Sequence, residues 1–124
     1  MAKTAKQPTW LSKIEAGNFA AAKSYLSLIY APSKATKWVA ELRAARFAEF
    51  KAKDIFRASQ LSLLGISNFH VEKDRKKIKE GIPLSPILLV RSKEHGKVVV
   101  ADGYHRLCAV YGVDEDALIP CKIV

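Results

Sequence analysis

The chain has 124 residues, 49% of them apolar, and its 21 Lys plus Arg against 12 Asp plus Glu give a formal charge of +9. That length fits one domain with little chain left for a second independent core, and the apolar content excludes a wholly disordered chain. No run approaches the roughly 18 uninterrupted apolar residues of a membrane span, and no apolar signal core follows Met1-Ala-Lys-Thr-Ala-Lys-Gln-Pro8. Cys108 and Cys121 have the spacing of neither a metal pair nor a secretory disulfide framework. The expectation is a soluble, basic, cytoplasmic protein with no membrane partner.

The charge is uneven. Residues 1–60 hold 11 Lys plus Arg and 4 acids, whereas residues 61–124 hold 10 and 8. The first half reads as helical. Pro8-Thr9 followed by Trp10, Leu11 and Ile14 predicts a short helix capped by Thr9 and ended near Gly17. Asn18 is placed to cap a second helix with Phe19, Ala22, Leu26 and Ile29 on one stripe, stopped by Pro32. Ser33 is placed to cap a third, rich in good helix formers and uninterrupted to about Lys53. On that helix Trp38, Val39, Leu42, Phe47 and Phe50 fall on one broad arc, with Arg43 and Arg46 among them. Two readings follow. Aromatic stripes at helical spacing usually belong to the core, with arginine stems along its edge. A basic surface with interleaved aromatics also suits DNA or RNA.

The second half changes pattern. Leu61-Ser-Leu-Leu-Gly-Ile66 is short and apolar and predicts a strand. His70 to Glu80 reads as a charged helix with pairs Glu72–Lys76 and Asp74–Lys77 at stabilising spacing and Gly81 as its stop. Pro83 to Val90 predicts a buried strand entered through its prolines, Glu94-His95-Gly96 a turn, and Val98–Val100 the returning hairpin strand. A helix then runs to Tyr111-Gly112, and Ile119–Val124 closes as a strand. The fold class is α+β, a small mixed sheet with helices, preceded by a helical segment at 1–58 and itself spanning 59–124, the two packed as one unit.

One segment carries specific chemistry. Around Asp102-Gly103-Tyr104-His105-Arg106 a strand turns directly into a helix. The first N–H groups of a helix lack intrahelical acceptors, and the helix dipole is positive there. A glycine allows close approach of a ligand, an arginine offers a forked cation, and a histidine adds a donor that titrates near neutral pH. These residues describe an anion cradle. The structural alternatives are Asp102 as a plain helix cap, Arg106 paired with Asp102 or with Asp114, Glu115 or Asp116, and Tyr104 as helix-edge packing. Leu107, Cys108 and Val110 read as core residues.

Gly103-x-x-Arg106-x-x-Ala109 resembles the glycine–arginine–alanine signature of the ParB/sulfiredoxin (ParB/Srx) superfamily, and Gly81-Ile-Pro-Leu-Ser-Pro86-Ile-Leu-Leu-Val90 is similar to the passage preceding the hairpin in ParB-like N-terminal domains. The resemblance covers roughly residues 60–124. It implies a bacterial protein that binds nucleotide phosphates at this helix start. ParB proteins use CTP, sulfiredoxin uses ATP, and a free-serine kinase of similar fold uses ADP. The matching phosphate contacts are Gly103, His105 and Arg106, with Asp102 and Tyr104 completing the turn, and Mg as an optional companion of the nucleotide. The sulfiredoxin nucleophile falls on Tyr104, so reduction of a sulfinic acid by that route is excluded. The motif also departs from ParB, with His105 and Cys108 where arginines stand. A phosphotransferase, ATPase or nuclease needs a carboxylate, for which Glu72, Asp74 and Asp102 are the candidates. The expected function is nucleotide or phosphate binding at Asp102–Arg106. The alternatives are a DNA- or RNA-binding regulator using Arg43 and Arg46, one of those enzymes, and a ligand-free interaction module.

Overall fold

The computed structural model describes residues 6–65, 67–94 and 96–124. In chain order the elements are α1 (Ala16–Ile29), α2 (Pro32–Ala44), β1 (Phe47–Lys51), α3 (Ala52–Ser59), α4 (Phe69–Glu80), β2 (Ile87–Ser92), β3 (Lys97–Asp102), α5 (Tyr104–Val113) and β4 (Leu118–Ile123). The fold is α+β. Its sheet has the order β1-β4-β2-β3, with β1 and β4 antiparallel, β4 and β2 parallel, and β2 and β3 antiparallel.

The apolar run Ile87-Leu-Leu-Val90 explains the layering. A strand presents alternate side chains to opposite faces, so a strand that is apolar throughout must be covered on both. Ile87 and Leu89 pack with Ile55 of α3, Val71 and Ile78 of α4 and Leu107 of α5. Leu88 and Val90 pack on the other face with Phe19 and Leu26 of α1 and Val39 and Leu42 of α2. The sheet is thus sandwiched, with α1 and α2 on one side and α3, α4 and α5 on the other.

In the second half α4, the β2–β3 hairpin, α5 and β4 lie where the pattern places them. Asn68 caps α4 by accepting from the His70 and Val71 N–H groups, and Gly81 ends it with φ +76°. His95, at the expected hairpin turn, lies outside the described residues.

The first half departs from the expectation in four places. Trp10 starts no helix; it forms a parallel bridge to Leu84, with the Leu11 N–H bonded to the Leu84 carbonyl and the Leu84 N–H to the Thr9 carbonyl, both at 2.8 Å. A helix of so few residues is marginal in water, and this pairing supplies partners for the chain entering β2. The second helix begins earlier than Asn18, with Glu15 at its cap position, because the Asn18 side chain is engaged elsewhere. It is ended by the extended Tyr30, while Pro32 opens α2 as its first residue, where a missing N–H is harmless. Ile29 is 38% exposed and so lies outside the core.

The third helix stops at Ala44 rather than near Lys53, and Phe47–Lys51 is a strand, so the segment read as wholly helical supplies the sheet's edge. Pairing with β4 overrides the local helix preference of these residues. The strand expected at 61–66 is absent over 61–65, and Ile66 lies outside the described residues. A side chain holds this segment in place of a ladder, through the Tyr104 hydroxyl donating to the Ser62 carbonyl at 2.5 Å. Among the described residues no helix is long and apolar enough to cross a membrane.

Leu26, fully buried between α1, α2 and the sheet, reports on whether the helical start is part of the fold. Leu26→Ala is expected to cost about 2–5 kcal/mol, read as a lowered urea midpoint in a single transition. A second transition, or an unchanged midpoint, would show that α1 does not fold with the sheet.

Candidate functional site

The site grows out of an irregularity in the hairpin. Leu88 pairs with Asp102 but Leu89 pairs with Val100, so Ala101 is an extra residue in β3 and the strand's end is displaced by one place. The chain then turns through Gly103 at φ +111° and enters α5. Glycine is required here on two grounds. That φ disfavours any side chain, and a Cβ would stand 2.8 Å from Ile87 Cγ1 and 3.0 Å from an Arg106 terminal nitrogen.

Arg106 folds back beneath this turn. Its Nη2 donates to Asp102 Oδ2 at 3.0 Å, to the Pro86 carbonyl at 3.3 Å and to Asn18 Oδ1 at 3.4 Å. The two charged side chains are only 16% and 18% exposed. Asn18 Oδ1 also accepts from the buried Ser85 hydroxyl at 2.6 Å, whose oxygen accepts the Glu15 N–H at 3.1 Å. Of the two structural alternatives, the pairing of Arg106 with Asp102 is the one realised. Asp102 is not the helix cap; among the described residues no side chain caps α5. The N–H groups of Tyr104, His105 and Arg106 therefore keep their outward direction without a capping acceptor.

Facing that helix start is the first half of α4. His70, Lys73, Asp74 and Lys77, spaced as one face of a helix, line a polar cavity of about 210 Å³ together with Asp102 to Arg106. The His70 and His105 rings approach with centroids 4.8 Å apart, tilted by 39°. Burial, then His70, and more weakly Arg106 hold His105 below the usual imidazole range, while Asp74 opposes them. Burial raises the Asp74 carboxyl, against the pull of Arg106, Lys77, His105 and Lys73. The Gly103 turn also borders a larger, mainly apolar cavity of about 440 Å³, lined by Tyr25, Leu61, Val100 and Tyr104. Tyr104 and His105 line both.

The five residues expected from the sequence, Asp102 to Arg106, are thus brought together, and Asp74 joins them. Glu72 does not; it faces Lys76 at 3.9 Å, outside the cavity. Arg43 and Arg46 lie at the far end of α2. The Arg43 guanidinium sits 4.4 Å above the Phe19 ring and Arg46 is exposed. Trp38 packs edge-on against Tyr30 at 4.5 Å, so this part of the aromatic stripe is core. Both thiols are buried and held protonated by burial, Cys108 raised and Cys121 pushed up to about 12. Among the described residues no three His, Cys, Asp or Glu side chains are grouped to hold a metal ion.

The sequence reading missed His70, Lys73 and Lys77, whose shared helix face was visible but reads like any solvated charge run. It also missed Asn18 and Pro86 as anchors of Arg106, for which no local signal exists. Compared with protein-family models, curated proteins and solved structures, the chain finds no match in any of the three.

Gly103→Ala is expected to destabilise the protein by at least about 1–3 kcal/mol, the cost of a non-glycine residue in this backbone region. Its close contact with Ile87 adds to that cost. A thermal melt equal to wild type would show that the turn is looser than described.

Proposed function

We propose that the protein binds a nucleotide, with its phosphate groups in the polar cavity between α4 and α5 and its nucleoside in the adjoining apolar cavity. The observation that carries this reading is the convergence of an uncapped helix start with Lys73, Lys77, His70 and His105 around one solvent-facing space. Backbone N–H groups at a helix start and cations across from them are the two means by which proteins hold phosphate. The resemblance of Gly103-x-x-Arg106-x-x-Ala109 to the ParB/Srx signature supports the same assignment.

The roles divide by geometry. Lys73 and Lys77 neutralise the phosphate, and the N–H groups of Tyr104, His105 and Arg106 bond its oxygens. Arg106 is a positioning residue, because its forked end is engaged by Asp102, Pro86 and Asn18 and so fixes the turn that presents those N–H groups. Tyr104, its hydroxyl tied to Ser62, lines the apolar cavity together with Tyr25.

Calorimetric titration with ATP, ADP, CTP and GTP at low salt tests the proposal. Binding of at least one nucleotide is expected. Lys73→Ala and Lys77→Ala should each weaken it about fivefold, the equivalent of about 1 kcal/mol for a solvent-facing charge pair. No binding of any of the four at millimolar concentration, or unchanged affinity in both lysine variants, overturns the assignment.

A further inference from the structure

We propose that this cleft takes up a proton together with its anion, and that the His70–His105 pair is the acceptor. The inference rests on the phosphate reading above and concerns how that site is regulated. Two imidazole rings with centroids 4.8 Å apart, on the cavity wall, cannot both carry a full charge without strong mutual repulsion. The other charges facing them add to this. From α4 come Lys73 and Lys77, opposed by Asp74; from α5 comes Arg106, already paired with Asp102 of β3. Tyr104 of α5 and Phe69 of α4 flank the pair as neutral rings, at 5.5 Å from His105 and 5.4 Å from His70. With Asp102 and Arg106 cancelling, two lysines against one acid leave the empty cleft positive, which disfavours further protonation. Burial first, and then His70, lower the proton affinity of His105.

A dianion in the cavity reverses it. The ligand brings two negative charges close to both rings, so one added proton on the pair becomes more favourable. A single proton on one ring of the pair also avoids the doubly charged state. The sign follows from linkage. The pair binds a proton more tightly with the anion present than without it, so between those two proton affinities the complex holds the extra proton. Affinity for a dianion therefore rises as pH falls through that window, by up to about tenfold per pH unit for one proton. Above and below the window it is flat.

Inorganic sulfate is the probe, since it remains a dianion throughout the range and contributes no titration of its own. The full-length protein is titrated with sulfate from pH 5.5 to 8.5 in two buffers that differ in heat of protonation. The ring-proton NMR signals of His70 and His105 are followed with and without sulfate. The expected result is tighter binding toward acid pH, uptake approaching one proton per sulfate, and histidine signals that titrate at higher pH when sulfate is bound. In the His70→Gln/His105→Gln double variant, checked for a native spectrum, the pH slope should vanish while weak binding persists. Sulfate binding without a pH slope overturns the proposal and leaves nucleotide binding standing. A slope retained in the double variant assigns the proton to Asp74 and also overturns it. No sulfate binding at any pH, together with no nucleotide binding, overturns both.

Discussion

The fold and the site both turn on where the Arg106 guanidinium lies. One terminal nitrogen ties together four pieces of chain that are distant in sequence: its own helix, the end of β3 at Asp102, the entry to β2 at Pro86, and α1 at Asn18. Through Ser85 and Glu15 the same network reaches the start of α1. A guanidinium and a carboxylate more than four-fifths removed from solvent are tolerated only when paired, and removing either partner strands the other. The pairing dictates its surroundings as well. The turn above must be glycine because Ile87 and Arg106 fill the space a Cβ would need. The Arg106 Nε is buried and has no hydrogen-bond partner among the described residues.

Because Asp102 is held by Arg106, it does not close the start of α5. An aspartate preceding a helix would ordinarily accept from the first N–H groups and use up their capacity. Here the arginine turns the carboxylate inward, and the helix start opens into the cleft lined by α4. The chain's overall charge has little part in this. The cations that face the cleft, Lys73 and Lys77, belong to the nearly balanced half of the sequence, whereas the strongly basic first sixty residues place Arg43 against Phe19 and Lys34 against Glu94.

Much of this was legible in the sequence where structure is local. The strand, glycine and helix around Asp102–Arg106 announce themselves within ten residues, as do the Gly81 stop and the doubly buried β2. What escaped was non-local. Phe47-Ala-Glu-Phe-Lys51 fits a helix by its i, i+3 phenylalanines and a strand by its alternation, and only β4 lying alongside decides between them. Asn18 has the chemistry of a cap, but the same short amide accepts from a serine and an arginine 67 and 88 positions away. His70, Lys73, Asp74 and Lys77 share a helix face in any reading. What distinguishes them from solvated charges is that the start of α5 packs opposite, and no spacing along α4 reveals that.

Asp74 is the element of the cleft that a simple anion site does not require. A carboxylate beside a phosphate weakens binding, and burial already biases this one toward its neutral form. It stands among Arg106, Lys77, His105 and Lys73, which pull the other way and favour the carboxylate. On the proposed reading this acid would meet an entering anion as a like charge. Under that proposal the cleft would bind more weakly than one built from lysines alone, and its affinity would respond to protons. Imidazole is the side chain on this wall whose ordinary proton affinity lies closest to neutral pH. The acid and the histidines on one cleft wall are therefore what the proposed sensitivity to acidity would depend on.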